Sequence, residues 1–172
     1  MSNREFDETT KVKMDFGKLV HNHNMKMIEM ADVKGGLIIT FSGVLIGVSL
    51  YIESPGDSFS GVIRLIASLF LLGAALLSFF VIYPRLHTEE KKTNFFFQEI
   101  IETGRTGYIS GIIKSSSNEL LENLFGDIFT LAEIEEKKYR YLRISMSVFV
   151  LGFVFFFLSI SYDILRILVL DC

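Results

Sequence analysis

The chain has 172 residues, half of them apolar, with 17 Phe, 2 Pro, no Trp and a single cysteine. One cysteine excludes a secreted scaffold held by disulfides, because such a framework needs pairs. The net charge of −3 disfavours a protein that binds duplex nucleic acid, since duplex binding draws most of its affinity from neutralised phosphates. Three windows hold most of the apolar excess, and this distribution predicts a small integral membrane protein.

The first window covers residues 35–52 and contains no charge. About 18 residues at about 1.5 Å each just cross a hydrocarbon core of about 30 Å, so we expect a membrane-spanning helix. Residues 1–34 form a predicted cytoplasmic segment whose amphipathic helix runs into this span. Its apolar stripe either packs on a neighbouring cytoplasmic helix or lies on the membrane surface. The stripe consists of Phe16, Leu19, Val20, Met27, Met30 and Ala31.

The second window, residues 61–83, predicts the next span. Its one charged residue is Arg64, in the first turn, where a long side chain can reach the lipid head groups. Pro84 is expected to end this helix, because the residue before a proline avoids helical geometry. Residues 35–83 are therefore two spans joined by a short outer loop.

Residues 84–143 form a predicted cytoplasmic region. Ser116 and Glu119 have the spacing of a capping box, and apolar residues then follow at helical intervals. We expect one long helix from this point into the third span. The stretch 103–117 is rich in Gly and Ser and is predicted to be a loop, with a short hairpin near residues 108–113.

Residues 144–172 provide the third span, apolar as far as Ser161, and an outer C-terminus. The six Lys and Arg residues of 1–34 and the nine of 84–143 contrast with none in 53–60. Positive residues near span ends stay on the cytoplasmic side, so the N-terminus is predicted to face the cytoplasm. No cleavable signal peptide is visible. The predicted fold is an all-α membrane protein with three transmembrane helices, long helical cytoplasmic extensions and an oligomeric assembly.

Small residues within the spans indicate close helix packing. Gly43 and Gly47 form a GxxxG pair, and Gly73 begins a comparable strip in the second span. These contacts lie either within the chain or between subunits. Three spans are too few to enclose an aqueous path, so conduction would require a homo-oligomer.

The sequence contains no recognisable catalytic motif, which predicts that the chain is not an enzyme. His21 and His23 point to different sides of a helix and cannot share a metal, so we expect no metal site and no cofactor. Cations, aromatic rings and an amide in the cytoplasmic layer could instead bind a nucleotide. The same cations can instead set the membrane topology and contact lipid head groups. Composition alone favours this second interpretation over nucleotide binding. The nucleotide interpretation selects Arg85, Asn94, Phe97, Arg105, Tyr108, Lys138 and Arg143.

Several short motifs occur in a fixed order at the span ends. They are Asn24, Ala31-Asp32-Val33-Lys34, Ile82-Tyr83-Pro84-Arg85, Asn94-Phe95-Phe96-Phe97, Leu131, Ile134, Lys138-Tyr139 and Leu142-Arg143. In this order and placement the chain resembles the Pycsar-type membrane effectors of bacterial anti-phage defence, over about residues 20–165.

The resemblance implies an effector in the bacterial inner membrane that a nucleotide second messenger controls. A partner nucleotidyltransferase or cyclase would make this regulatory ligand. Cyclic mononucleotides activate Pycsar effectors, whereas a short DNA oligomer holds the similar effector of the Hailong system closed, and the sequence leaves the sign of control open. On this interpretation the chain oligomerises into a channel or pore that depolarises the membrane and stops growth of the infected cell. The alternative is a non-conducting membrane anchor or scaffold for a cytoplasmic partner.

Overall fold

The computed structural model describes the backbone of residues 3–52, 58–83 and 97–170, and the side chains of residues 8–52, 59–83 and 103–169. Four helices follow one another: α1 (Asn3–Tyr51), α2 (Ser58–Ile82), α3 (Phe97–Lys114) and α4 (Ser117–Leu170). No strand occurs in these ranges. The predicted all-α fold is confirmed.

Three of the four helices, α1, α2 and α4, are long and apolar enough to cross a membrane. The predicted continuation of the N-terminal helix into the first span is confirmed, because α1 has no break between Asn3 and Tyr51. The capping box at the start of α4 is also present. The Glu119 amide donates to Ser116 Oγ, and the Ser116 amide donates to Glu119 Oε2, each at 3.3 Å.

The loop predicted for residues 103–117 is wrong, because α3 extends to Lys114. The helix is kinked at Gly104, whose φ of 70° is a conformation that side chains with a Cβ rarely adopt. Beyond this kink the chain is helical through Gly107 and Gly111. Tyr108 and Ile112, one turn apart, line a cavity together with residues of α1 and α4, so the helix forms here although each glycine within it costs about 1 kcal/mol.

The chain divides into two compact units. Unit 1 contains Met1–Glu29 and Arg85–Glu136, and unit 2 contains Met30–Pro84 and Lys137–Cys172. Helices α1 and α4 each contribute residues to both units without interruption. The domain boundaries expected from the sequence, at 34, 83 and 143, remain predictions.

In unit 2, buried residues recur at steps of three, four or seven positions along each helix. These steps fit a repeat of about 3.5 residues, which is that of coiled-coil packing, in which one seam of each helix faces its neighbours. The seam of α2 consists of Ser60, Arg64, Ala67, Leu71, Ala74, Ser78 and Val81. The matching seams are Ala31, Gly35, Ile38, Ser42 and Ser49 on α1, and Leu142, Ser145, Gly152, Phe156, Ser159 and Asp163 on α4.

Helix directions in unit 2 follow from the paired residues. Ser78 Oγ lies 2.6 Å from Ser145 Oγ near one end of α2, and Arg64 pairs with Asp163 near the other. From the first pair to the second, the residue number decreases along α2 and increases along α4, so these helices are antiparallel. Ser49 pairs with Ser68 at 3.1 Å, whereas Gly35 lies against Ile82. By the same reasoning α1 is antiparallel to α2, and α1 and α4 are parallel.

The interior of unit 2 contains buried polar side chains beside its apolar core, and its outer faces are apolar. Five of its serines, Ser42, Ser60, Ser78, Ser145 and Ser159, are fully buried, whereas Leu, Phe and Val side chains cover the outer faces. Water would penalise such a surface, but lipid does not, because transmembrane helices associate through small residues and hydrogen bonds rather than apolar burial. The side-chain distribution therefore agrees with membrane insertion.

Arg64 does not reach outward as the sequence interpretation expected. The side chain is 6% exposed and ion-pairs with Asp163, which is 12% exposed. Its guanidinium also donates to the Ile52 carbonyl at 2.6 Å and to Ser159 Oγ at 3.4 Å. The expectation failed because Asp163, 99 residues later, supplies a buried partner. An ion pair inside the bundle removes the cost that would otherwise drive the cation to the surface.

A close helix approach in unit 2 involves a glycine that the sequence interpretation did not select. A Cβ on Gly152 would lie 3.0 Å from Leu71 Cγ and 3.1 Å from the Leu71 amide nitrogen. A Cβ on Gly73 would meet Val148 at an ordinary 3.8 Å, and one on Gly43 or Gly47 would meet nothing within 4 Å. The GxxxG pair thus makes no close approach among the residues that the structure describes, and the alternative role, a contact between subunits, stays a prediction.

Gly152→Ala should destabilise unit 2, because the added methyl meets helix backbone that cannot move without separating α2 from α4. We expect a loss of about 1–3 kcal/mol in the free energy of unfolding, measured by titration into a denaturing detergent with circular dichroism. Gly36→Ala is the control: its Cβ would meet nothing within 4 Å, and the helix should gain up to about 1 kcal/mol. Equal stability of the two variants would contradict the close packing at Gly152.

Unit 1 packs α1 against α4 through a small residue and an amide. A Cβ on Gly17 would lie 2.7 Å from Leu124 Cδ2, and Asn24 Nδ2 donates to the Ile128 carbonyl at 3.3 Å. Of the two roles expected for the apolar stripe of α1, packing on a neighbouring helix is not seen for Phe16 and Leu19 among the described residues, and the membrane-surface role stays a prediction. Phe16 and Leu19 are 61% and 67% exposed, because the buried face is shifted toward Gly17 and Asn24.

Candidate functional site

A cavity of about 550 Å³ lies within unit 1, between three helices. Helix α1 contributes one face to it, since Met14, Lys18, His21 and Asn22 recur at intervals of three or four residues. The other walls come from pairs of residues one turn apart: Tyr108 and Ile112 on α3, and Leu120 and Leu124 on α4. Volumes of about 300–1,000 Å³ are usual for pockets that bind small molecules.

The lining combines three kinds of polar group with an apolar wall. Lys18 offers an ammonium, Asn22 a side-chain amide with donors and an acceptor, and Tyr108 an aromatic ring. These groups match a phosphate, the edge of a base and the face of a base, respectively. The aliphatic side chains of Ile112, Leu120 and Leu124 provide the rest of the surface.

His21 connects the cavity to a buried carboxylate. Its Nδ1 lies 3.2 Å from Oδ2 of Asp127, a residue that is only 5% exposed. Burial raises the pKa of the Asp127 carboxyl above its ordinary value, and the nearby imidazole partly offsets this by attracting the charged form. This contact places His21, in the wall of the cavity, beside the Asp127 carboxylate.

The structure places the residues selected from the sequence in different parts of the chain. Tyr108 lines the cavity, and Arg105 is exposed on the preceding turn of α3. Lys138 and Arg143 belong to unit 2. Arg85 and Asn94 lie outside the described residues, as does the side chain of Phe97.

Lys138 has a partner within unit 2. Its Nζ lies 2.5 Å from Oδ1 of Asp32, in an ion pair between α4 and α1. Arg143 lines a groove between the same two helices, with mainly apolar neighbours. Their geometry assigns Lys138 to helix packing, and a nucleotide-binding role for either residue stays a prediction.

Lys18, His21 and Asn22 were not selected from the sequence. The sequence interpretation considered His21 only as a metal ligand, which it rejected, and counted Lys18 only among the Lys and Arg residues that indicate topology. A usable signal was present, because Lys18 and Asn22 are four residues apart and so share a helix face. What the pattern could not supply is that Tyr108, 86 residues after Asn22, lies on the other side of the cavity.

Comparisons with known proteins agree with the fold. The family model PycTM, described as the Pycsar effector protein domain, matches residues 17–163, most of the chain. The Pycsar effector protein SaPycTM of Staphylococcus aureus is 23% identical over 142 residues, which are 82% of this chain and 90% of that protein. No solved structure gives a significant match.

The family match covers unit-2 residues that the structure shows in contact, including the Asp32–Lys138 and Arg64–Asp163 pairs. It also covers Lys18, Asn22 and Tyr108 at the unit 1 cavity. The family is one of membrane effectors and not a known class of enzyme. The chain, with its three membrane-spanning helices, therefore belongs to the Pycsar effector protein (PycTM) family, whose members are membrane effectors of anti-phage defence.

Proposed function

We propose that this chain is a nucleotide-controlled effector that assembles into a homo-oligomeric pore and depolarises the bacterial inner membrane during phage infection. The observation that carries the proposal is the unit 1 cavity, which places Lys18, Asn22 and Tyr108 around a space suited to one small molecule. Family membership supplies the defence role and the membrane location.

A cyclic mononucleotide is the ligand class that best fits this cavity. The volume of about 550 Å³ suits a single drug-sized molecule, and the ring of Tyr108 offers a stacking surface for one base. The alternative ligand, an inhibitory short oligonucleotide, needs several stacking surfaces and several cations along one groove. A cyclase or nucleotidyltransferase would supply the ligand as the partner of this effector.

Control by the ligand requires that it bind one state better than the other. Shifting the closed-to-open ratio from 99:1 to 1:99 needs about 5.5 kcal/mol of differential affinity. Shared among several subunits, this is a small contribution from each cavity. Because α1 and α4 run unbroken from residues of the cavity to residues of the spans, a small rotation or shift of either helix can act on both.

Oligomerisation is supported by apolar side chains that no other described part of the chain covers. Val12, Phe16 and Leu19 lie on one face of α1 within unit 1 and are 64%, 61% and 67% exposed. Exposed apolar patches outside the lipid-facing part of a protein usually mark a contact with a partner. Further subunit contacts would use the open faces at Gly43 and Gly47.

Orientation with unit 1 in the cytoplasm is part of the proposal. The Lys and Arg residues of 1–34 and 84–143 support it, because positive residues near span ends are retained on the cytoplasmic side. The cavity would then face the compartment in which the second messenger is made.

Expression in bacteria tests the function directly. With a cyclase that makes cyclic mononucleotides induced in the same cells, we expect membrane depolarisation, read by a potential-sensitive dye, and growth arrest. Either protein alone should leave the potential unchanged. If the effector is present in the membrane and the nucleotide accumulates, an unchanged potential would favour the non-conducting anchor over the pore.

A further inference from the structure

A groove of about 970 Å³ runs between α1 and α4 within unit 2. Helix α1 lines it with Lys34, Leu37, Ile38 and Phe41, and helix α4 lines it from Tyr139 to Leu151. The two helices run parallel, so positions that rise along α1 also rise along α4. The first residues of both walls therefore lie at the same end of the groove, and this end is polar whereas the other is apolar.

Two cations stand at the polar end. Lys34 directly precedes the uncharged window 35–52, and Arg143 directly precedes the apolar run that begins at residue 144. Both line the groove and both are exposed. They therefore lie where the apolar part of each helix begins, which is the level of the lipid head groups in a spanning protein.

Neither cation has an acidic partner among the described residues. Lys138, close by in the sequence, is ion-paired with Asp32, and Arg64 is ion-paired with Asp163. No such pair is formed by Lys34 or Arg143 in the part of the chain that the structure describes. The charges of Lys34 and Arg143, at the polar end of an apolar groove, are complementary to an anionic group that carries an apolar chain.

The remainder of the groove suits such a chain. From Lys34 to Phe41 the helix advances about 10 Å, at about 1.5 Å per residue. Over this depth the lining consists almost entirely of Leu, Ile, Phe, Met and Val side chains. Basic pockets between transmembrane helices are a known way of binding acidic phospholipids.

We propose that this groove binds one anionic phospholipid, whose phosphate contacts Lys34 and Arg143 and whose acyl chain lies along Leu37, Phe41, Met146 and Val150. The chemistry is a phosphate monoanion joined to a long hydrocarbon tail, supplied by the surrounding bilayer. The site uses residues of unit 2 alone and does not depend on the nucleotide cavity. A lipid bound there would contribute to the packing of α1 against α4 and make the effector sensitive to membrane composition.

The absence of tryptophan from the chain makes a clean optical test possible. The probe is Phe41→Trp, a lining position that is 56% exposed and can accept the larger ring. Leu76→Trp on α2 is the matched control, because it is 58% exposed and does not line the groove. The two positions also lie at the same depth along the helices. In the antiparallel register of α1 and α2, Gly35 lies against Ile82 and Ser49 pairs with Ser68, so position 41 is level with position 76.

Each variant is reconstituted in vesicles of phosphatidylcholine and phosphatidylglycerol, with bromine on the acyl chains of one lipid at a time. Bromine quenches tryptophan on contact, so the two quenching values give the preference for the anionic lipid at each position. At about fivefold per cation, we expect a preference of about twentyfold at Phe41→Trp and close to one at Leu76→Trp. Inorganic phosphate at millimolar concentration should leave both values unchanged.

Charge variants then identify the head-group contacts. Lys34→Gln with Arg143→Gln should reduce the preference at Phe41→Trp to about one, whereas Lys34→Arg with Arg143→Lys should preserve it. Native mass spectrometry of the chain without the tryptophan substitution should show one bound phosphatidylglycerol, lost in the double glutamine variant.

Three results would overturn the proposal. The first is an equal lipid preference at the two tryptophan positions, and the second is a preference that survives the double glutamine substitution. The third is no quenching by either lipid at Phe41→Trp with normal quenching at Leu76→Trp, which would mean that protein, such as a second copy of the chain, covers the groove. Release of the lipid by inorganic phosphate would likewise count against a lipid ligand.

Discussion

Arg64→Leu should lower the free energy of unfolding of the membrane-spanning unit by about 2–4 kcal/mol. The substitution leaves the Asp163 carboxylate buried without its cation, and removing one partner of a buried ion pair is costly because the other charge is left uncompensated. It also removes the donors to the Ile52 carbonyl and to Ser159 Oγ. Titration into a denaturing detergent, followed by circular dichroism, measures the loss.

The double variant Arg64→Leu with Asp163→Leu separates charge from packing. It removes both charges at once, so it should recover most of the lost stability, since apolar replacements of a buried pair are often neutral or stabilising. Lys137→Leu, at an exposed position in the same unit, is the control and should change stability by less than about 0.5 kcal/mol. A single Arg64 variant as stable as this control would contradict the buried ion pair.

Tyr108→Ala should weaken binding of the cyclic mononucleotide by a factor of about 5–150. Loss of one base-stacking contact costs about 1–3 kcal/mol, and the ring is the aromatic surface of the cavity. Lys18→Gln should weaken binding to a similar extent, because it removes a charge-assisted hydrogen bond to the phosphate. Titration calorimetry with the four common cyclic mononucleotides measures both effects.

Two conservative variants make this prediction specific. Tyr108→Phe keeps the ring and should retain binding within about threefold, whereas Arg105→Gln changes an exposed residue outside the lining and should have a smaller effect than Lys18→Gln. If Tyr108→Ala and Lys18→Gln bound the nucleotides as the unchanged chain does, the cavity would not be the ligand site.

Much of the architecture is predictable from the sequence because the signals are local. Apolar windows long enough to cross a bilayer predict the spans, and the Ser116 and Glu119 spacing predicts the capping box at the start of α4. Helix α3 was missed because Gly107 and Gly111 are poor helix formers, and the arrangement that sets Tyr108 and Ile112 beside α1 and α4 is tertiary and leaves no local signal.

The Arg64–Asp163 pair shows why the interior was harder to predict. Each residue separately has an ordinary explanation at a membrane interface, and only the antiparallel register of α2 and α4 brings them together. The small-residue seam of α4 was nevertheless visible, since Ser145, Gly152 and Ser159 are spaced by seven residues. The GxxxG rule directed attention to Gly43 and Gly47 instead, although the close contact lies at Gly152.

The chemical groups of the candidate site were predictable from the sequence, but most of the residues that supply them were not. Cation, aromatic ring and amide were the expected groups, and the cavity contains all three in Lys18, Tyr108 and Asn22. Only Tyr108 of the cavity had been selected, because a binding site formed by three helices combines residues that are far apart in the sequence. Sequence spacing reports the face of one helix and cannot report which faces meet.

Release of a trapped dye from liposomes tests the central claim most directly. Purified oligomeric protein is reconstituted in vesicles, and cyclic mononucleotides are added one at a time. A nucleotide-controlled pore predicts rapid release with the cognate nucleotide, little release without it, and little release from vesicles that carry Tyr108→Ala. Intact vesicles under every condition, with protein shown to be folded, inserted and oligomeric, would contradict the pore.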